Sequence, residues 1–136
     1  NVKIDNKIIS EIGSGMVVLL GVRKGDEKKD IEHVANKIIA LRIFSDQNNK
    51  MNLSIKDING SILVVSQFTL CASTKKGNRP SFLNAAPPSI GKDLYKNFIL
   101  HLKSFEVPVS TGKFGAMMDV CLINQGPATF IIDSKT

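Results

Sequence analysis

Two short apolar runs, Met16-Val17-Val18-Leu19-Leu20 and Ile62-Leu63-Val64-Val65, most narrow what this chain can fold into. Neither alternates with polar residues, so each reads as a strand covered on both faces. Between them Ile31, Val34, Ile38 and Leu41 recur at helical spacing, with Lys28, Lys29, Glu32 and Lys37 largely on the opposite face. That pattern predicts a helix from about Glu27 to Leu41, entered through a break at Gly25-Asp26 that can cap it. A second helix is predicted after Pro87-Pro88, with Leu94, Phe98, Leu102 and Phe105 as its apolar face and Pro108 as its stop.

The remaining segments are shorter. Val2 and Ile4, a turn at Asp5-Asn6, then Ile8 and Ile9 predict an N-terminal hairpin. Gly13-Ser14-Gly15 is a second turn, and Ser45 to Asn49 is turn-like. The buried run within Ser61 to Thr69 reads as a central strand. Met118, Val120 and Leu122 alternate as a strand, and Thr129 to Ile132 follow Gly126-Pro127 as a last short one. The order strands, helix, strand, helix, strands predicts an α+β fold with a mixed or antiparallel sheet and helices on one side. At 136 residues the chain is one domain, 1–136.

Composition narrows the function classes. No apolar run approaches the roughly 20 residues of a membrane span, and no secretory signal is visible, so a cytoplasmic location is expected. Cys71 and Cys121 stand apart and read as reduced thiols in or near the core. No metal ligand set is visible, and no cofactor is implied. The net charge of +6 favours contact with polyanions. The chain opens at Asn1, not Met, within a strand pattern, which suggests a missing N-terminal segment.

Familiar catalytic sets are lacking. His33 and His101 sit on the predicted helices as boundary or surface residues, no carboxylate pair stands out, and there is no phosphate loop, dinucleotide fingerprint or zinc-protease motif. Two polar clusters beside apolar strands remain. Ser66-Gln67-Phe68-Thr69-Leu70 is either a site at the open end of a strand or ordinary strand termination. Asn124-Gln125-Gly126-Pro127-Ala128-Thr129 is either a plain turn or one that presents bare backbone carbonyls. Phe114, between Gly112 and Gly115, can stack on a base or plug the core. The basic loop Lys75-Lys76-Gly77-Asn78-Arg79 suits phosphates or is simply solvated.

Taken together, these segments resemble the D-aminoacyl-tRNA deacylase family. The matching pieces are Glu11-Ile12-Gly13, Leu19-Leu20-Gly21-Val22, Ser66 to Leu70, Lys76 to Phe82, Thr111 to Ala116 and Asn124 to Thr129. They span nearly the whole chain in order. Family members carry about a dozen residues ahead of the segment like Val2 to Ile4, including an Arg that helps organise the site; that strand is truncated here.

The resemblance implies a barrel-like α+β unit working as a homodimer, with active sites at the interface. Ser66, Gln67, Phe68 and Thr69 of one subunit would meet Gly126 and Pro127 of the other, joined in the family by a cis bond. It implies hydrolysis of the ester of D-aminoacyl-tRNA, and of glycyl-tRNA mischarged on tRNA-Ala, with L-aminoacyl substrates rejected. Backbone N–H groups around Gln67 and Phe68 would form an oxyanion hole, Phe114 and Met118 would hold the 3′-terminal adenosine, and Lys75, Lys76 and Arg79 would touch acceptor-stem phosphates. Two rivals stand beside this reading. One is a covalent esterase or amidase using Thr69 as nucleophile; the other is a dimeric nucleic-acid-binding module without turnover.

Overall fold

The computed structural model describes residues 1–136. Its elements run β1 (Val2–Ile4), β2 (Lys7–Ser10), β3 (Gly15–Leu20), α1 (Lys28–Ala40), β4 (Phe44–Ser45), β5 (Met51–Leu53) and β6 (Ser61–Ser66). A 3-10 turn (Phe68–Cys71), α2 (Pro88–Lys103), β7 (Val109–Thr111) and β8 (Asp119–Val120) complete the chain. No helix is long and apolar enough to cross a membrane.

The α+β class is as expected, but the sheet is not. The strands divide into a parallel sheet β3-β6-β7, an antiparallel sheet β2-β1-β8 and a hairpin β4-β5, and no closed barrel is found. The cause lies in the connections. A helix returns the chain between β3 and β6 and again between β6 and β7, so each next strand points the same way. Pairing is unbroken from Gly15 opposite Ser61 to Leu20 opposite Ser66.

β6 is the middle strand, and both its faces are covered, as its apolar run predicts. Ile62 and Val64 pack under the helices with Ile31, Ala35, Ile38, Phe98 and Leu102. Leu63 and Val65 face the other way and join Val2 of β1, with Val120 and Met118 beside them. Each such side chain contributes about 1.5–3 kcal/mol through burial, so β6 fixes three layers: helices, parallel sheet, antiparallel sheet.

Several boundaries moved for local reasons. Asp26 does not cap α1; its carboxylate accepts the Arg23 N–H at 2.7 Å and closes the preceding turn. Glu27 is the N-cap instead, and the Asp30 carboxylate accepts its N–H at 2.8 Å. α2 ends at Lys103, five residues before Pro108, and the chain turns through Glu106 at φ +63°. Tyr95 joins its buried face, while Phe105 is only half-buried. The Ser45 to Asn49 turn belongs to the β4-β5 hairpin. Thr129 to Ile132 form no strand, and Met118 and Leu122 lie outside β8. Alternation alone does not make a strand; a ladder partner does, and the chain offers these residues none.

Candidate functional site

Parallel strands end on one side of a sheet, so the segments that follow them meet there. Leu20 pairs with Ser66, and Val64 with Thr111. Three distant stretches therefore leave the sheet together: Gly21 to Lys24, Gln67 to Cys71, and Gly112 to Phe114. The segment singled out at Ser66 to Leu70 is the central one.

Main-chain bonds hold this edge. The Gln67 N–H donates to the Leu20 carbonyl at 2.8 Å, and the Gly112 N–H to the Val64 carbonyl at 2.9 Å. Tyr95, which sequence reading did not single out, sends its hydroxyl from α2 to the Val64 and Gly112 carbonyls at 3.3 and 3.5 Å. Burial pushes its phenol up, so it stays protonated and donates. Its signal in the sequence was a polar tip beside Leu94 on an apolar stripe. Gly21 packs so closely that an added Cβ would lie 3.1 Å from the Leu70 Cβ and 3.2 Å from both the Cys71 Sγ and the Gln67 carbonyl oxygen.

After Ser66 the backbone does not continue as a strand to Thr69. It bends at Gln67 into the 3-10 turn, which sets Phe68, Thr69 and Leu70 outward. Phe68 is 60% exposed, and its ring meets Phe82 edge-on at 5.0 Å. The Gln67 side-chain amide donates to the Thr69 hydroxyl. That neighbour is an amide, which takes no proton at neutral pH. His33 is exposed on α1, and His101 on α2 pairs with Asn36 at 2.9 Å.

The Cys71 thiol is pushed up by burial, against a weaker opposing pull from Arg23, and is not a thiolate at neutral pH. The Gln67 N–H, one of the expected oxyanion donors, is committed to Leu20. The donors that the turn leaves open are the first N–H groups of the 3-10 helix, those of Phe68 and Thr69.

Phe114 and Met118 are not in one cluster. The Phe114 ring lies 5.6 Å from that of Tyr95, on the helix side of the parallel sheet. Met118 lies on the opposite side with Val2, Leu63 and Val65, its sulfur 3.4 Å from the Lys113 nitrogen. They flank the exit of β7 from two sides. Lys75, Lys76 and Arg79 are exposed on a loop closed by reciprocal Ser73–Ser81 bonds of 2.8 and 2.9 Å.

The Gly126-Pro127 bond is cis, and the turn around it is exposed. Asn124 braces it, accepting the Ala128 N–H at 3.1 Å and donating to the Thr129 hydroxyl at 2.9 Å. Beyond it, Asp133 pairs with Arg23 and Lys135 with Asp30, each at 2.9 Å, which fastens the C-terminal segment to the entrance of α1. No group of three His, Cys, Asp or Glu side chains stands close enough to hold a metal ion.

A family model described as D-Tyr-tRNA(Tyr) deacylase matches residues 1–133. A D-aminoacyl-tRNA deacylase of Thermosipho africanus is 52% identical over 134 residues, covering 98% of this chain and 90% of the relative. One of Finegoldia magna is 57% identical over 127 residues, covering 93% and 86%. A solved structure described as c-Myc DNA Unwinding Element Binding Protein superposes with a TM-score of 0.87 at 40% identity, covering 93% of this chain and 87% of that one.

Proposed function

This chain belongs to the D-Tyr-tRNA(Tyr) deacylase family, whose relatives are ester hydrolases, and we propose that it hydrolyses D-aminoacyl-tRNA to free D-amino acid and tRNA. The observation that carries the reading is the open edge of the parallel sheet. There the Phe68 and Thr69 N–H groups, the Gln67 amide and the Thr69 hydroxyl stand together, and no imidazole or carboxylate bonds to that hydroxyl.

The substrate is an activated ester. Its cleavage needs a positioned water and a place for developing negative charge, more than a strong base. Water attacks the ester carbonyl carbon while backbone N–H groups of the 3-10 turn stabilise the oxyanion. The bond to the ribose 3′ oxygen then breaks, that oxygen takes the proton given up by the attacking water, and the neighbouring 2′-hydroxyl orients the water. Thr69, held by Gln67, positions the substrate. The adenine lies at the exit of β7, with Phe114 towards the helix side and Met118 towards the other, and Lys75, Lys76 and Arg79 reach acceptor-stem phosphates.

Selection falls to a second subunit, whose Gly126-Pro127 turn closes the pocket with main chain. Rigid backbone leaves no room for an L side chain. Glycine offers nothing to reject, so glycyl-tRNA mischarged on tRNA-Ala is cleaved as well. The working unit is then a homodimer, and its place is the cytoplasm, where charged tRNA is used.

The test is release of amino acid from D-tyrosyl-, L-tyrosyl- and glycyl-tRNA by the purified protein. Rapid loss of the D-tyrosyl and glycyl esters with L-tyrosyl-tRNA spared is the expected result. An untouched D-tyrosyl ester would sink the reading. A second reading, a DNA-binding module, is favoured by the solved relative's description and the charge of +6. It predicts salt-sensitive DNA binding with no ester turnover.

A further inference from the structure

A cleft of about 370 Å³ opens beside the 3-10 turn, lined by Arg23, Lys24, Leu70, Cys71, Ala72 and Asn84. One wall is the turn that carries Phe68 and Thr69. The other is the stretch that leaves β3 at the same edge of the parallel sheet. That wall is held in register with Asn84: the Lys24 N–H donates to the Asn84 carbonyl at 2.9 Å, and the Ala86 N–H to the Val22 carbonyl at 3.0 Å. Two cations and an amide are thus set side by side on fixed backbone.

The charges around the cleft are unequal in their commitments. Asp133 takes one N–H of the Arg23 guanidinium at 2.9 Å, which orients the plane and leaves its other donors open. The Asp26 carboxylate accepts the backbone N–H of Arg23 at 2.7 Å, which fixes its place but leaves its charge, felt at Cys71 in the cleft wall. Lys24 is exposed and takes part in none of the ion pairs. The arrangement offers one unpaired ammonium, a fixed guanidinium edge and an amide donor, which suits a singly charged, multiply accepting phosphodiester.

We propose that this cleft binds a backbone phosphate of the RNA strand just upstream of its terminal adenosine, with Lys24 as the main ionic contact and Arg23 and Asn84 as hydrogen-bond donors. The proposal rests on the aminoacyl-tRNA reading. A strand that ends at Phe68 and Thr69 has the cleft as its neighbour along the 3-10 turn, and a volume of this size takes a ribose-phosphate unit.

The test is binding, not turnover, so its failure is distinct from failure of the deacylase reading. Fluorescence anisotropy would follow an uncharged RNA hairpin with a CCA-3′ end on wild type, Lys24→Gln and Lys24→Arg. Lys24→Gln should weaken binding about five- to tenfold and lower the slope of log affinity against log salt by about one. Lys24→Arg should restore most of both.

A second hairpin carries uncharged methylphosphonate linkages between its last three nucleotides. On it wild type should lose a similar factor and Lys24→Gln almost nothing more, because the contact is already gone. Equal losses from Lys24→Gln on both hairpins, or none on either, would overturn the proposal. So would displacement of the RNA by millimolar inorganic phosphate, which would assign the cleft to a free anion.

Discussion

Thr69 is the residue on which the mechanism turns. Its hydroxyl accepts from the Gln67 amide and has no histidine or carboxylate beside it. Removing a positioning hydrogen bond costs about 0.5–1.5 kcal/mol, so Thr69→Ala should keep D-tyrosyl-tRNA deacylation within about tenfold of wild type. A nucleophile would instead cost on the order of 10⁴-fold or more, and single-turnover rates of the two proteins separate the cases. The sequence placed the polar cluster at Ser66 to Leu70 but not the bend at Gln67, nor the loss of its N–H to Leu20. Both follow from the neighbouring β3, which local sequence does not specify.

At the scale of elements, the pairing of β3 with β6 and the entrance of α1 set the site's frame. Gly15 starts β3 so close to β6 that an added Cβ would stand 1.8 Å from the Ser61 carbonyl oxygen, on backbone that cannot move aside alone. Gly15→Ala should therefore cost roughly 1–3 kcal/mol, as overpacking does, read as a lower urea midpoint.

At α1, the Lys135 ammonium, then the Glu27 N–H, hold the Asp30 carboxyl down at about 2 from an ordinary 3.8, against the opposing effect of burial. A carboxyl depressed on folding stabilises fully above its unfolded value and loses that contribution as pH falls. The Asp30 contribution should thus be complete above about pH 5 and fade between 3.8 and about 2. Asp30→Asn should cost about 1–2 kcal/mol at neutral pH, with the gap to wild type closing across that acid window in urea titrations. The hairpin, both helices and the two apolar strands were legible from periodicity. The cap at Glu27 was not, because Asp26 is equally suited to capping and only its bond to Arg23 takes it away.

For the whole molecule, the notable surface is apolar. Met117, Ile123 and Ile131 are 92%, 90% and 96% exposed, and Leu122 and Phe130 are uncovered beside them. So many exposed large apolar side chains in the C-terminal stretch suit an interaction surface, and a second copy of the chain is the occupant that the proposed cross-subunit pocket needs. Light scattering should give twice 14.8 kDa. Ile131→Asp should shift the protein towards monomer and lower deacylation with it, while helix content stays unchanged. A monomeric wild type with full activity would rule the shared pocket out.

Composition and periodicity determined the class and most of the elements, because each is a property of a few neighbouring residues. Of the two apolar runs expected to be covered on both faces, only β6 is, since β3 pairs on one side alone and leaves Leu19 exposed. The motifs also carried the family, since six separated segments match in order. What only the tertiary structure decided is which elements lie side by side. It made the central sheet parallel, gathered Lys24, Thr69 and Phe114 at one edge, turned Phe114 and Met118 to opposite sides of it, and fastened the C-terminal segment to α1. These are outcomes of how whole layers pack around β6, and contacts between residues tens of positions apart leave no local pattern in the chain.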